Sequence, residues 1–417
     1  MAKILISFVG TGGLINRETQ GKSYLDSKRQ YRKTVYHLGD ENLGEYSFVA
    51  AALAKSHNVD KVILIGTTHS MWEEVYRYFS EQNNKGLDQD TFHAIAEHCD
   101  RATHESELTI PHKDKIERAL GGDSHVLLIR YGLNEKEITE NISIVLGLDS
   151  LINTGDEIIV DVTHSFRSLP IFIMNLLLYL TNVSSKNPKI SHIYYGMLEM
   201  YNSMHYAPIV DLNKILELNK WIVGASAFKN YGNAYQICEL MKGKDSQLVT
   251  QLANLSNVLN LNHLNKLEGE VEKMKKLKDK DYSDPLPELT VKPVVDDFLK
   301  EFGTATENHA LFQYTLAKWQ FKNMNYALSL LSLAESIITY ACIKANKGWE
   351  AQKDREKVKE EIRKKKSSLP VDLLDCYEII RKLRNGTAHN LQMEYKPQTI
   401  INKLDTALKT VGRYIHN

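Results

Sequence analysis

The chain has 417 residues, more than one hydrophobic core usually supports, and this length predicts two domains. It is 43% hydrophobic and 25% charged with a formal net charge of zero, which excludes a protein that binds nucleic acid or membranes through its overall charge. Any phosphate-binding surface must therefore come from a local patch.

The four cysteines form no CxxC pair, which argues against a disulfide framework or a zinc knuckle and indicates a reducing compartment. The first residues, MAKILISFVG, have the pattern of a strand rather than of a signal peptide. The most apolar run, SLPIFIMNLLLYLTNV, is shorter than the about 20 residues that a membrane span needs. We therefore expect a cytoplasmic protein without a membrane partner.

The first half of the chain alternates predicted strands with predicted helices. Short apolar runs that end at Gly, Thr or Ser predict parallel strands buried on both faces, namely KILISFVG, DKVILIGTTHS, HVLLIRYG, DEIIVDVTHS and ISHIYYGML. Helices are expected around 43–56, 70–82, 135–148 and 167–182, and YRKTVYHL predicts an extra strand. The pattern predicts an open, doubly wound α/β domain over residues 1–211.

The second half, residues 212–417, is predicted to be all-α. From Trp221 onward we find no convincing strand, and Lys, Glu and Leu recur with a helical period. The polar, proline-bearing segment 279–293 predicts a loop or a boundary within this half. The segment VDLLDCYEIIRKLRN predicts an amphipathic helix that ends at Asn385-Gly386.

The carboxyl ends of the predicted parallel strands carry small, hydroxylic and donor-rich residues, and ligands of such sheets bind beyond these ends. Backbone N–H groups and hydroxyls suit phosphate, and an arginine adds a bidentate clamp. Any one loop is explained as a turn or a helix cap, but four at one edge predict a polyanionic ligand. The loops are Gly10-Thr11-Gly12-Gly13, Thr67-Thr68-His69, Tyr131-Gly132-Leu133-Asn134 and the segment from Asp161 to Arg167.

Two nucleotide-binding motifs are incomplete in this half. A GxGxxG motif starting at Gly10 has Ile15 in place of its third glycine, and a P-loop ending at Gly21-Lys22-Ser23 has Asn16 in place of its first. These gaps argue against a dinucleotide cofactor and against an ATPase.

The stretch DVTHSFRSLP (161–170) resembles the DxTHG signature of CRISPR-associated CARF proteins, with Ser165 in the place of glycine. IRYGLNEKEI (129–138) is similar to a second stretch of that family. The resemblance covers about residues 1–210 and implies a dimeric, Rossmann-like sensor of cyclic oligoadenylate. From the family we expect the ring of four adenylates. The implied ligand-binding residues are Gly10, Thr11, Gly12, Thr67, Thr68, Gly132, Asn134, Thr163, His164, Ser165, Phe166 and Arg167.

The stretch RKLRNGTAHN (381–390) places Arg384 five positions before His389, about 140° apart on an ideal helix. We expect Asn385-Gly386 to break the helix so that the two side chains converge. Histidine can move protons and arginine can stabilise charge when the RNA 2′-OH attacks its own phosphate. A basic cluster could steer RNA; it comprises Arg363, Lys364, Lys365, Lys366, Arg381 and Lys382. A surface arginine and a helix-capping histidine would give the same pattern.

RNGTAH also resembles the R-x4-6-H motif of HEPN ribonucleases, and the two halves together resemble the CARF–HEPN ribonucleases of type III CRISPR systems. This resemblance implies a homodimer that cleaves single-stranded RNA with no metal or cofactor. It gives Arg384 and His389 catalytic roles and makes Asn385 a positioning residue. Glu335 is either an inward-facing polar partner or part of a solvated helix face.

Other interpretations stay open. FHAIAEHCDRATHE contains His93, Glu97, His98, Cys99 and His104, but without HExxH or CxxC it predicts a solvated helix rather than a metal site. The helical half could instead be a non-enzymatic, ligand-gated adaptor. The α/β half could itself process a nucleotide, for example as a ring nuclease that uses His164, Ser165 or Arg167.

Overall fold

The computed structural model describes residues 1–14, 29–31, 33–83, 85–164, 168–243, 246–280, 282, 284–303, 305–389 and 395–416. The chain divides into two compact units, Met1–Glu217 and Leu218–Asn417. The boundary falls inside a helix, Asn213–Tyr231.

The N-terminal unit is built on an eight-stranded sheet with the order β5-β4-β10-β9-β8-β1-β6-β7. A separate antiparallel pair joins β2 to β3. The strands are β1 (Lys3–Val9), β2 (Gly13–Leu14), β3 (Arg29–Gln30), β4 (Thr34–Leu38), β5 (Glu41–Tyr46), β6 (Lys61–Gly66), β7 (His125–Leu128), β8 (Glu157–Asp161), β9 (Lys189–Gly196) and β10 (Ala207–Asp211).

Helices cover both faces of this sheet. They are α1 (Val49–Ser56), α2 (Trp72–Gln82), α3 (Gln89–Arg101), α4 (Lys113–Leu120), α5 (Glu135–Gly147), α6 (Leu169–Asn182) and the short α7 (Tyr201–Met204). Alternate residues of β1 enter different cores, because successive side chains of a strand point to opposite faces. Leu5 joins the core that includes Trp72 of α2, and Ile4 and Ile6 join the core that includes Leu176 of α6.

The chain reverses its direction of winding at β1. After β1 it adds β6 and then β7 on one side, and it then returns to place β8 and β9 on the other side. All five strands are parallel, so their carboxyl ends share one edge. The ends of β1 and β8 therefore flank the topological switch point, where open α/β sheets bind ligands.

The predicted α/β domain is confirmed, with two local corrections. The sheet is mixed, because β10 runs antiparallel to β9 and β5 antiparallel to β4. The helix expected around 43–56 begins only at Val49, and its predicted first turns form β5. Gly44 has a φ of +99°, which a helix does not accommodate, and the segment pairs with β4 instead.

The C-terminal unit is helical, and the structure places no strand among the described residues after Asp211. The segment predicted as a loop contains a short helix and the start of another, because Asp284 caps the first and Pro285 begins it. The helices are α8 (Asn213–Tyr231), α9 (Tyr235–Leu240), α10 (Ser246–Asn260), α11 (Leu264–Lys275), α12 (Pro285–Thr290), α13 (Lys292–Phe302), α14 (His309–Lys322), α15 (Tyr326–Lys344), α16 (Gln352–Arg363), α17 (Val371–His389) and α18 (Pro397–Ile415).

Two cores hold this unit together. One surrounds Trp221 and Phe298, and the other packs α15 against α17 and α18 through Leu333, Ile380 and Leu404. By length and composition α15 could span a membrane, but 61% of its most apolar window is buried inside the protein. Most of that window therefore packs inside the helical unit.

Candidate functional site

Asp161, the last residue of β8, organises the loop at the switch point. It is fully buried, and its carboxylate accepts hydrogen bonds from Ser7 Oγ at 2.6 Å, Thr163 N at 2.9 Å and Thr163 Oγ1 at 2.6 Å. Thr163 Oγ1 accepts in turn from Gly196 N at 2.7 Å. The aspartate and threonine of the DxTH pattern thus tie the end of β8 to β1 and to β9.

His164 lies against the loop that follows β1. Tyr31 donates a hydrogen bond from its hydroxyl to Gly10 O at 3.0 Å, and its ring packs edge-on against the imidazole with centroids 4.8 Å apart. A Cβ at Gly10 would lie 3.1 Å from His164 O, so the two loops touch. Burial lowers the pKa of His164, although the charge of Asp161 opposes the shift. The imidazole is therefore neutral at neutral pH.

The hydroxyl groups of the loop after β6 form hydrogen bonds within the protein. Thr67 and Thr68 are both buried. Thr67 N donates to Ser70 Oγ at 2.9 Å, Ser70 Oγ donates to Val9 O at 2.7 Å, and Thr68 Oγ1 donates to Glu107 O at 3.2 Å. Ser70 thus links this loop to the end of β1, and Thr68 links it to the segment between α3 and α4. The predicted contact of the two threonines with a ligand stays a prediction.

The loop after β7 holds a carboxylate of its own. Gly132 has a φ of +83°, and Asn134 Oδ1 accepts from Glu137 N at 3.0 Å at the start of α5. Glu137 Oε2 reaches back and accepts from the backbone N–H groups of Gly132 and Leu133, each at 3.0 Å. The hydrogen bond from Leu133 is the largest cause that lowers the pKa of Glu137. The amides predicted to bind phosphate thus already bind an anion.

The remaining predicted ligand residues are placed only in part. Gly12 is exposed with a φ of +63°, and a Cβ there would lie 1.9 Å from Met71 Sδ, so this position requires glycine. Thr11 lies beside it. Ser165, Phe166 and Arg167 lie outside the described residues.

Helix α17 carries the RNGTAH sequence without interruption from Val371 to His389, so the predicted break at Asn385-Gly386 is wrong. Ile380 and Leu383 are buried in the core, and Thr387 Oγ1 donates to Leu383 O at 2.9 Å. Glycine costs a helix only about 1 kcal/mol relative to alanine. Tertiary packing outweighs that cost here, as it usually does for helices in proteins.

Because α17 continues, the break that was predicted to bring Arg384 and His389 together does not form, and the two residues are attached to different faces of one helix. Five helical positions separate them by about 140° around the axis and about 7.5 Å along it. The side chain of His389 is outside the described part of the structure. A site that uses both residues must therefore draw on more than one face of α17.

Arg384 is half-buried and has two partners. Its Nη1 lies 3.5 Å from Glu335 Oε1, and its Nη2 lies 3.5 Å from Asn385 Oδ1. Glu335, on α15, also pairs through Oε2 with Arg355 Nη2. Of the two interpretations of Glu335, the inward-facing polar partner is therefore confirmed.

The predicted basic cluster is partly neutralised. Arg381 binds the Glu378 carboxylate within α17, with its Nη2 at 2.8 Å from Oε2. Lys364 pairs with Glu360 at 3.3 Å and Lys365 with Asp375 at 3.2 Å. The side chains of Arg363, Lys366 and Lys382 are also exposed, and they add positive charge to this surface.

The histidine-rich segment of α3 makes other contacts. His98 Nε2 lies 3.0 Å from Thr109 O, and Glu97 pairs with Arg101 at 2.6 Å. Cys99 is buried, and its carbonyl lies 2.7 Å from His69 Nδ1. Over the described ranges, no group of three or more His, Cys, Asp or Glu side chains is placed to hold a metal ion.

Comparison with protein families gives two matches. Residues 4–199 match the family model described as the CRISPR system endoribonuclease Csx1, CARF domain. The N-terminal unit is a CRISPR-associated CARF domain. Residues 217–308 match the model described as the CRISPR-associated protein MJ1674, second domain. The CARF match covers the whole switch point described above.

The chain also resembles individual proteins, among them a curated CRISPR-associated protein. The chain is 33% identical to the CRISPR-associated protein MJ1674 of Methanocaldococcus jannaschii over 99% of its own length, and it spans 66% of the length of that protein. A structure of Enterococcus italicus Csm6 bound to cyclic hexa-2′-fluoro-hexa-dAMP aligns with 98% of this chain and 93% of its own. Its TM-score is 0.36 at 13% identity.

Sequence reasoning missed several residues that shape the CARF domain and the helix site. Glu137 could have been found, because Asn134-x-x-Glu137 is a capping-box pattern. Ser7 is the one hydroxyl inside the apolar strand β1, which is a weak signal. No local sequence pattern marks Tyr31 or Arg355, because Tyr31 contacts Gly10 and Arg355 contacts Glu335, both of them distant in the sequence.

Proposed function

We propose that the chain is a cyclic-oligoadenylate-activated, metal-independent endoribonuclease that cleaves single-stranded RNA in type III CRISPR antiviral defence in the cytoplasm. The observation that carries the proposal is the union in one chain of a CARF domain with a helical unit in which Arg384 of the RNGTAH sequence is held by Glu335 and Asn385. The helical unit then acts as a HEPN-type ribonuclease, over residues 212–417.

The ligand site lies at the switch point of the CARF domain. The loops after β1 and β8 touch there through Gly10 and His164. The exposed glycine backbone at Gly12, in the loop after β1, allows the phosphates of a ring of AMP units to approach closely. The ring of four adenylates is the activator that we expect.

A second copy of the chain completes the sensor. Large apolar side chains are exposed on and before α5 and α6, whose first turns lie at the ligand edge: Leu133, Ile138, Ile142 and Ile171. Exposed apolar side chains grouped at one edge favour a protein interface. A homodimer would cover them and would place a two-fold axis next to a ring that can share that symmetry.

The ribonuclease site lies on α17. The RNA 2′-oxygen attacks the adjacent phosphorus, the bond from phosphorus to the 5′-oxygen breaks, and the products are a 2′,3′-cyclic phosphate and a 5′-hydroxyl. His389 transfers the proton and Arg384 stabilises the charge on the phosphoryl oxygens. Since the two positions lie about 140° apart on one helix, we place the site between the α17 helices of two chains. The exposed Lys366 and Lys382 attract the RNA backbone.

Ring binding then changes the relative pose of the two helical units of the dimer. A ligand can shift such an equilibrium only by as much as it prefers one arrangement over the other. The ring must therefore bind the RNA-cleaving arrangement more tightly.

The test is cleavage of a fluorescent single-stranded RNA by the purified chain in EDTA. Each reaction contains no ligand or cyclic tri-, tetra- or hexa-adenylate, and the proteins are wild type, His389→Ala and, as a matched control, His416→Ala. We expect cleavage with one ring only, lost in His389→Ala and kept in His416→Ala. Full activity of His389→Ala would contradict the proposal, and no cleavage with any ring would favour the adaptor function.

A second candidate function, ring cleavage by the CARF domain, is favoured by one observation. His164 Nε2 is buried and has no hydrogen-bond partner among the described residues. A neutral imidazole beside the Gly10 loop could take a proton from a ribose hydroxyl. This function predicts that cyclic tetra-adenylate is consumed by His389→Ala but not by His164→Ala.

A further inference from the structure

Glu335 is shared unequally between two arginines. Its Oε2 is in close contact with Arg355 Nη2, whereas its Oε1 lies 3.5 Å from Arg384 Nη1, at the limit of a hydrogen bond. The exposed fraction of the Arg355 side chain is 16%, against 27% for that of Arg384. Arg355 is therefore the main partner of the carboxylate, and Arg384 is the looser one.

Arg355 is fixed independently of Glu335. Its Nη1 donates to Trp349 O at 2.7 Å and to Thr339 Oγ1 at 3.1 Å. Thr339 is fully buried and lies one turn after Glu335 on α15. Arg355 thus stays in place whether or not Arg384 is bound to the same carboxylate.

We infer that Arg355 regulates the proposed ribonuclease site by neutralising Glu335, so that Arg384 is free to leave the carboxylate and bind an RNA phosphate. This inference rests on the proposed function. A half-buried carboxylate that loses its cation is strongly destabilised. With Arg355 present, Glu335 keeps one charged partner when Arg384 moves. Without Arg355, the carboxylate would hold Arg384, and a phosphate would have to compete for it.

The charges of the cluster support this role. Two guanidinium groups surround one carboxylate, so the cluster carries one net positive charge. That excess charge lies on the looser arginine, which is the more exposed of the two. Arg381, three positions earlier on α17, is instead bound within its own helix to Glu378. It therefore serves as an internal reference.

The test is the rate at which phenylglyoxal modifies Arg384, read by mass spectrometry after digestion of the full-length protein. The proteins are wild type, Arg355→Gln, Glu335→Gln, the double variant and Arg355→Lys. We expect Arg355→Gln to slow modification of Arg384 by about tenfold, the effect of one charged hydrogen bond. Glu335→Gln should accelerate the modification of Arg384, and in the double variant the rate should return at least to the wild-type value. In Arg355→Lys the rate should stay close to that of the wild type. The rate at Arg381 is unchanged throughout.

Ring-activated RNA cleavage should follow the same order. Arg355→Gln lowers cleavage, and adding Glu335→Gln restores it, which a merely structural role of Arg355 would not produce. An unchanged rate at Arg384 in folded Arg355→Gln, or a double variant no better than Arg355→Gln, overturns the inference. If Arg355→Gln does not fold, the Glu335→Gln variant is the test. An unchanged rate of modification at Arg384 in that variant overturns the inference. The labelling needs no RNA, so its outcome is separate from a failure of the ribonuclease proposal.

Discussion

Arg384 and Glu335 are 49 positions apart in the chain, and their side chains meet at 3.5 Å between α17 and α15. Both side chains are 27% exposed, so the contact lies at the surface of the core and not in open solvent. An arginine in this setting is held in place yet can reach a phosphate. This relationship is the structural basis of the proposed ribonuclease site.

Replacing Arg384 with lysine should lower ring-activated RNA cleavage by about 100-fold, because lysine has no planar fork with which to hold a phosphoryl group. The matched control is Arg381→Lys on the same helix, whose arginine is bound to Glu378. Initial rates on a fluorescent RNA measure both. Equal losses in the two variants would contradict the specific role of Arg384, because both substitutions keep the positive charge and both change the same helix.

Replacing Gly386 with alanine should raise the free energy of unfolding by about 0.5–1 kcal/mol, because α17 continues through this residue and alanine is the better helix former. Urea unfolding of wild type and variant measures the difference. A helix that breaks at Asn385-Gly386 would give the opposite sign, since a left-handed glycine does not tolerate a Cβ.

The sheet was predictable because its strands are short apolar runs ended by small residues. β1, β6 and β8 lie where KILISFVG, DKVILIGTTHS and DEIIVDVTHS predict them. The edge strand β5 was missed, because its sequence ENLGEY has the polarity of a helix start and its pairing with β4 is a tertiary contact. Tertiary contacts of this kind override the local preference of a segment for helix or strand.

The sites were predictable only where a local pattern carries them. The DxTH pattern identified Asp161 and Thr163, but the Ser7 hydroxyl that binds Asp161 comes from 154 positions earlier. The Asn-Gly pair predicted a break, and the buried Ile380 and Leu383 show why packing kept the helix intact. No local pattern could reveal that Arg355 shares Glu335.

Replacing Thr163 with valine should weaken the switch point, because the hydroxyl both donates to Asp161 and accepts from Gly196 N. The orphaned N–H should cost about 1–3 kcal/mol of stability. Amide hydrogen exchange at Gly196 should become faster, and affinity for cyclic tetra-adenylate should fall. Thr163→Ser keeps the hydroxyl and should behave like wild type; slow exchange in the valine variant would refute the role given to the hydroxyl.

Stability should fall as the pH drops below 6.5, in part because of His164. Burial lowers the pKa of His164 below the usual value of 6.5. Between the two pKa values the histidine is protonated in the unfolded chain and neutral in the folded chain. The contribution of neutral His164 to the free energy of unfolding is complete above pH 6.5 and is lost as the pH falls toward the lowered pKa. Urea unfolding at about pH 7.5 and about pH 5.5 should show a pH dependence that is weaker in His164→Gln, by at most about 1.4 kcal/mol per pH unit. Identical pH dependence in both proteins would contradict the assignment.

The central claim is that the CARF domain senses a ring and the helical unit performs the chemistry. It is tested most directly by measuring both events on one variant, with calorimetric titration of cyclic tetra-adenylate into His389→Ala and RNA cleavage by the same preparation. The account predicts that the ring binds His389→Ala with the wild-type Kd while RNA cleavage is lost. Cleavage by His389→Ala at the wild-type rate, or a ring that binds neither protein, would contradict it.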